Sequence, residues 1–545
     1  MTTAIHYTSV KSASGREVFG LQVAVENWLT AYFRYGSSAQ FSFLIGEAKE
    51  WEEVQEIASR VKCDLKRLVA LDRRFVRENF PRFSTIARLN PDTQKLLWQR
   101  QMLPNTGFNF CGLAHAISGI EAGEVLEQYC LAPSEASDAI ICPSHAVQSA
   151  VRSFWDLYGD YLQQRFGTKF ICPVQLPIIP LGIDVEHFET MTTAPKRTEQ
   201  RQKLGLGEND IVLLWVGRLS HAIKAHPLAM FQAAERAAEK TGAKVHLVMV
   251  GYFVPKEAED QFKKLAQDFC SKAKVTFIAS DDARFPDGLW AAGDIFFSLI
   301  DNMQESFGLT PIEAMAAGLP RVISDWDGYR DSVTHGEDGF LIPTTQPPPG
   351  NGRELSELLL SGREMYGGYL AKSALSVAVD QERAVEAIAL LIKDKNKRKV
   401  IAEKARARVR TTYDWKQIIP AYEKLWQEME TKRRATKTAW ASALPQAPDP
   451  FTMYASYPTA PLSETSKLSV VASPDVIKKI WSHDINVLGL DMMITPDDAT
   501  KLISYVSTQG SVSIGDILRQ FASSNPPQIW RTVAWLLKLS VFRIT

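Results

Sequence analysis

Short apolar runs alternate with longer stretches of helical spacing along most of the chain. Strands are predicted at residues 4–8, 41–45, 68–71, 108–114 and 138–144, then at 211–217, 245–251 and 275–279. Residues 290–297 lead into a further strand, and 321–324 form a short one. Helices are predicted up to about residue 33, between 45 and 68, after 119, at 145–165, between 251 and 275, and at 311–317, 380–411 and 414–430. Residues 72–103, rich in Arg and aromatics, follow neither period and receive no assignment. Repeated alternation of strand and helix implies parallel sheets covered on both faces, so the class is α/β. Residues 346–372 read as a loop-rich insertion opened by QPPPGNG, and the run 393–399, KDKNKRK, as a solvated helix face. Residues 431–473, rich in Pro, Ala, Ser and Thr, read as a linker, after which apolar periodicity returns from 474 to 545 as a small, mainly helical, winged-helix-like unit.

Composition narrows the class. A chain of 545 residues is too long for one core, so two or more domains are expected. Its formal net charge is +0, so bulk electrostatics give no reason to expect nucleic acid. The 474–545 unit carries only Arg531 and Lys538 on its last helix, amid Trp530 and Trp535, and is read as a protein-contact or self-association module. The opening MTTAIHYTSVKSASG lacks a basic segment followed by an apolar core, and no apolar run reaches membrane-spanning length; a cytoplasmic protein is expected, with peripheral contact at a membrane face left open. Cys63, Cys111, Cys130, Cys142, Cys172 and Cys270 form no C-x-x-C pair and are expected to be reduced core thiols.

The chemistry concentrates in residues 304–329, QESFGLTPIEAMAAGLPRVISDWDGY. A loop, Gln304-Glu305-Ser306-Phe307-Gly308, precedes the helix at 311–317, with Thr310 placed at the N-cap, Pro311 at the first helical position and Glu313 at the third, as in a capping box. The free amides and the dipole at such a helix start favour phosphate. Glu305 and Glu313 are carboxylates suited to paired sugar hydroxyls; the plainer alternative is that Glu313 only caps and Glu305 is solvated. Arg218 and Lys224 follow the 211–217 strand, where two cations can neutralise a diphosphate, against the alternative of a solvated loop pair. His115 ends the 108–114 strand, where a structural role and a role facing a cleft are both open. Gly15 lies in the small-residue loop after the first strand, at a second position that can meet a ligand, against the alternative of an ordinary connection.

The spacing of Glu305 and Glu313 within ESFGLTPIEAMAAGLP, with Asp327-Gly328 and DGFLIP at 338–343, resembles the signature of family 4 glycosyltransferases. The resemblance runs over about residues 1–430 and is strongest in the second half. It implies the GT-B fold: two doubly wound Rossmann-like domains facing a cleft, at 1–182 on the acceptor side and 183–413 on the nucleotide-sugar side, with a closing helix at 414–430 that packs back on the first. It further implies a retaining transfer of a hexose from a UDP-, GDP- or ADP-sugar to a glycan or lipid-linked acceptor, without a cofactor or metal. In that frame Arg218, Lys224 and the amides of Ser306, Phe307, Gly308, Leu309 and Thr310 hold the diphosphate. Glu313 binds ribose, Glu305 and His115 contact the donor hexose, and Gly15 lies in the cleft. A phosphorylase, synthase or epimerase on the same fold, and a non-catalytic sugar-nucleotide scaffold, are the alternatives. The glycine common after the family's lysine is Ala225 here, and the paired glycines of the first loop are separated as Gly15 and Gly20.

Overall fold

The computed structural model describes residues 2–9, 20–92, 94–103, 107–435 and 444–545. They fall into two compact units, Met1–Ser442 and Ala443–Thr545. The first unit holds two six-stranded parallel sheets. One contains β1 (Thr3–His6), β2 (Phe41–Ile45), β3 (Leu68–Asp72), β4 (Thr85–Ala87), β5 (Asn109–Leu113) and β6 (Ala139–Ile141) in the order β3-β2-β1-β4-β5-β6. The other contains β7 (Ile211–Val216), β8 (Val245–Val250), β9 (Lys274–Ile278), β10 (Ile295–Ser298), β11 (Arg321–Ser324) and β12 (Gly339–Ile342) in the order β12-β11-β10-β7-β8-β9. Strands such as β7 (IVLLWV) and β8 (VHLVMV) are near-continuous apolar runs because helices cover both faces. Each sheet reverses direction of growth once, between β1 and β4 and between β7 and β10. Such reversals open a crevice at the strands' carboxyl ends. This is the GT-B arrangement of two doubly wound domains.

The lobes are stitched rather than merely apposed. Helix α1 (Gly20–Tyr35) and α2 (His145–Phe166) belong to the first lobe, and α3 (Leu309–Ala317) to the second. On α3, Ile312, Met315 and Ala316 enter the core of the first lobe, while Ala314 and Ala317 enter that of the second. In the second lobe the chain continues through β13 (Thr344–Thr345), α4 (Arg353–Leu360), α5 (Tyr366–Ala374), β14 (Ala378–Val379), α6 (Gln381–Lys393), α7 (Lys395–Thr412) and α8 (Trp415–Ala435). Ile183 and Asp414 pair at the crossing point between lobes, where Ile183 N–H donates to Tyr413 O at 2.9 Å. Helix α8 then lays Ile418, Tyr422, Leu425, Trp426 and Met429 against the first lobe, where the Tyr422 ring meets Trp28 edge-on at 5.4 Å.

Several expectations are corrected. Residues 346–372 are not loop-rich: they are mostly α4 and α5, a helical arm whose base is closed by the antiparallel pair β13–β14. Helix α4 buries no residue, so its apolar spacing carries no core signal. The single helix expected at 380–411 is two, because Asp394 ends α6 and accepts from Lys397 N–H to cap α7. The unassigned 72–103 segment contains β4, and one of its arginines turns fully inward. Arg100, 4% exposed, donates to both oxygens of Asp138 at 2.8 and 3.0 Å, which no polarity pattern reveals.

Ala443–Thr545 carries a three-stranded antiparallel sheet, with β15 (Lys467–Val470) between β16 (Val512–Ser513) and β17 (Phe542–Ile544). Helices α9 (Pro496–Gln509), α10 (Ile514–Gln520) and α11 (Pro526–Lys538) pack on it around Leu468, Leu502, Ile517, Val533 and Phe542. The linker expected at 431–473 is corrected at both ends: α8 runs to Ala435, and Leu468, inside the supposed linker, is a fully buried member of the central strand. Trp535 donates to Asn486 O at 2.7 Å and stacks on Trp481 at 5.8 Å, and Arg531 donates to Met492 O at 2.8 Å, so Trp535 and Arg531 of α11 serve the unit's own fold. Cys111, Cys130 and Cys142 are buried, Cys63, Cys172 and Cys270 are half-buried, and all are free thiols.

Candidate active site

The β7–β10 reversal sets the site. The loop after β7 carries Arg218 and Lys224; the loop after β10 carries Asp301, Asn302, Gln304 and Glu305 and runs into α3. Asn302 and Gln304 lock the loops together, Asn302 Nδ2 donating to Ala222 O at 2.7 Å and Gln304 Nε2 to Ile223 O at 2.6 Å. The result is an ion pair between Lys224 Nζ and Glu305 Oε2, both largely withdrawn from solvent. Burial opposes the Lys224 charge, but the Glu305 carboxylate beside it leaves the ammonium's pKa above its usual value. Arg218 is half-buried and, among the described residues, its guanidinium has no hydrogen-bond or ion-pair partner, so its five donors are available at the strand end.

Helix α3 starts two residues earlier than its sequence suggests. Gly308, not Thr310, is the N-cap, and no side chain caps the first turn. Gly308 has φ +84°, and a Cβ there would sit 2.3 Å from the Tyr329 ring, so both dihedral and space require glycine. The Thr310 hydroxyl instead lies 3.4 Å from Tyr329 Oη. Glu313 is therefore one turn inside the helix, and the capping box expected there is absent. The helix keeps its uncapped amides and dipole directed at the crevice beside Lys224. The Phe307 side chain is 2% exposed and packs into the first lobe's core, and Leu309 packs beside it, so these residues offer the crevice only backbone. Ser306 O accepts from the Ser144 hydroxyl at 2.7 Å; Ser144 also caps α2, which joins the lobes at this loop.

Gly328 closes the loop from behind. Its N–H donates to Glu305 O at 3.1 Å, and a Cβ on it would fall 2.3 Å from Phe307 Cα. Burial, then the neighbouring Glu305, pushes the Asp327 carboxyl well above the usual range. Burial likewise raises Glu313 to about 7 against the pull of Lys224, and Asp301 to about 7 against hydrogen bonds from His226 N–H. In the folded chain these two carboxyls hold protons that the unfolded chain has lost above about pH 4.5. Their contribution to stability is therefore full below that pH and is lost as pH rises through 7. Urea unfolding of Glu313→Gln, compared with the parent protein at pH 5 and pH 8, is expected to show a smaller loss of stability on going to pH 8. An equal loss in both proteins would refute the shift.

His115 sits at the end of β5, and its Nε2 donates to Leu89 O at 2.9 Å, which fixes the proton on that nitrogen and leaves Nδ1 as the acceptor. Burial lowers its pKa, so the ring is neutral. Gly15 lies outside the described residues. Asp301, Asn302, Gln304 and Tyr329 were not singled out by sequence; the only signal was their adjacency to the Glu305 motif. Among the described residues, no group of three or more His, Cys, Asp or Glu is placed to hold a metal ion, and no helix is long and apolar enough to cross a membrane.

Comparison with known proteins places the class first. Residues 196–361, which carry Arg218, Lys224, Glu305 and Glu313, match the family model for glycosyl transferases, group 1. A solved glycosyltransferase from Rickettsia africae shares the fold, with a TM-score of 0.50 and 12% identity over 78% of this chain and 98% of that one. Among individual relatives, a D-inositol 3-phosphate glycosyltransferase of Geodermatophilus obscurus is 30% identical over 179 residues, 32% of this chain and 38% of that protein. Spore coat protein SA of Bacillus subtilis is 29% identical over 227 residues, 40% of this chain and 59% of that protein. In both, the match spans less than two thirds of the relative's length.

Proposed function

We propose that the protein is a retaining glycosyltransferase that moves a hexose from a nucleotide diphosphate sugar to a glycan or lipid-linked acceptor. The observation that carries this reading is the Lys224–Glu305 pair set beside the uncapped start of α3 at the β7–β10 reversal. A cation, a free helix N-terminus and a sugar-competent carboxylate converge at one crevice, as a sugar diphosphate requires. Lys224, Arg218 and the amides of Gly308, Leu309 and Thr310 would receive the diphosphate. Glu313 would take ribose hydroxyls, and Glu305 and His115 those of the hexose. As the bond from the anomeric carbon to phosphate oxygen breaks, negative charge grows on the diphosphate, where fixed positive groups lower the barrier without reorganising. The acceptor oxygen would bond to the same face of the oxocarbenium-like centre and pass its proton to the departing phosphate oxygen, so no metal and no covalent intermediate is invoked. Residues 444–545 would serve protein contact or self-association; three helices on a small antiparallel sheet fit a winged-helix relative, and α11's engagement with its own unit favours a protein partner over nucleic acid.

Thermal unfolding with UDP-, GDP- and ADP-sugars tests the reading. One base is expected to raise the midpoint strongly, since saturation at 100 times Kd stabilises by about 2.7 kcal/mol. No shift with any of the three would sink it. For the binding donor, NMR of the product's anomeric centre then tests retention.

A further inference from the structure

The α4–α5 arm reaches across the cleft. Tyr366, the first residue of α5, lies 2.7 Å from Ser118 Oγ, in the first-lobe loop that begins at His115. Its ring lies against Gly119, where an added Cβ would come within 3.6 Å. The same hydroxyl donates to Gln304 Oε1 over a long 3.4 Å. Because Tyr366 donates there, Ser118 is the donor to Tyr366. Gln304 Nε2 in turn donates to Ile223 O at 2.6 Å. One continuous relay therefore runs from Ser118 through Tyr366 and Gln304 to the backbone next to Lys224, and Gln304 is also the chain neighbour of Glu305. Three separate segments, one from each lobe and one from the arm, meet at a single oxygen.

We propose that the Tyr366 hydroxyl is a positioning group that couples the order of the Lys224 loop to the first-lobe loop carrying His115. The coupling is geometric and needs no ligand; its use in catalysis rests on the glycosyltransferase reading. Filling the diphosphate site fixes Lys224 and Ile223, Gln304 keeps its orientation, and Tyr366 then holds the Ser118–Gly119 turn against the donor. The arm thus reports donor occupancy to the side of the cleft from which an acceptor arrives.

Hydrogen exchange of the full chain tests this. Lys224 and Ala225 N–H, both bound to Ser220 O, report the cation loop, and Gly123 N–H, bound to Gly119 O at 3.3 Å, reports the first-lobe turn. Tyr366→Phe removes only the oxygen and is expected to leave the global unfolding midpoint unchanged while exchange at both places accelerates about ten-fold, the worth of one hydrogen bond. Ser118→Ala is expected to accelerate Gly123 alone. Normal exchange at Lys224 and Ala225 in Tyr366→Phe overturns the proposal. UDP, GDP and ADP are then added in turn. The nucleotide that binds is expected to slow exchange at Gly123 as well as at Lys224 in the parent, but only at Lys224 in Tyr366→Phe; equal slowing at Gly123 in both also overturns it. If none of the three slows Lys224 in the parent, the glycosyltransferase reading fails, whereas the ligand-free comparison still decides the role of Tyr366.

Discussion

Replacing Lys224 by alanine is expected to lower glycosyl transfer about 10²- to 10³-fold, the usual loss when one preorganised stabiliser of developing negative charge is removed. Lys224 is 8% exposed and bonded to Glu305, so in the proposed reaction its ammonium would need no rearrangement as a diphosphate departs. The pair also has a structural side. Removing one member leaves the other partly buried and uncompensated, so Lys224→Ala will be less stable than the parent. Assays therefore belong well below the variant's own unfolding midpoint. Glu305→Gln is the sharper probe: it keeps the side chain's shape and an oxygen acceptor for Lys224, yet removes the charge, and it is expected to lower transfer at least as far. Parent-like kcat/KM in a folded Lys224→Ala protein would end the assignment of this crevice as the reaction site.

The second large effect is steric. Gly328→Ala places a methyl 2.3 Å from Phe307 Cα and 2.4 Å from Ser306 O, both backbone atoms that cannot swing aside. A cost of about 3 kcal/mol is expected, near the top of the range for overpacking. Because the strain falls on the Glu305–Gly308 loop, nucleotide-induced stabilisation should also disappear. Urea denaturation and thermal shift together measure the two losses. A variant of parental stability would mean that the Asp327–Gly328 turn is not seated on the Ser306–Phe307 backbone.

The parallel sheets were readable because β7 and β8 are near-continuous apolar runs, and the spacing of Glu305 and Glu313 drew attention to the loop that pairs with Lys224. What escaped has a common physical cause: groups whose polarity and location disagree. Arg100 is a buried cation satisfied by Asp138, so its segment reads as surface. Helix α4 buries nothing, so its segment reads as loop. Gly308 rather than Thr310 starts α3, because the left-handed backbone and the approach of Tyr329 exclude a side chain, and those are tertiary facts. Tyr366 is 61 residues from Glu305 in sequence, and only the folded arm brings it to Gln304.

Helix α3 is the party wall of the two lobes: Ile312, Met315 and Ala316 lean into one house, Ala314 and Ala317 into the other. If the lobes hinge, this wall is the stationary member, and its three alanines, Ala314, Ala316 and Ala317, let either neighbour slide without a large rotamer change. The berth proposed for a pyrophosphate at its end would then stay fixed while the outer rims of the two sheets travel. Bulk added at Ala316 should jam the hinge while sparing nucleotide capture, which separates gripping the donor from enclosing it.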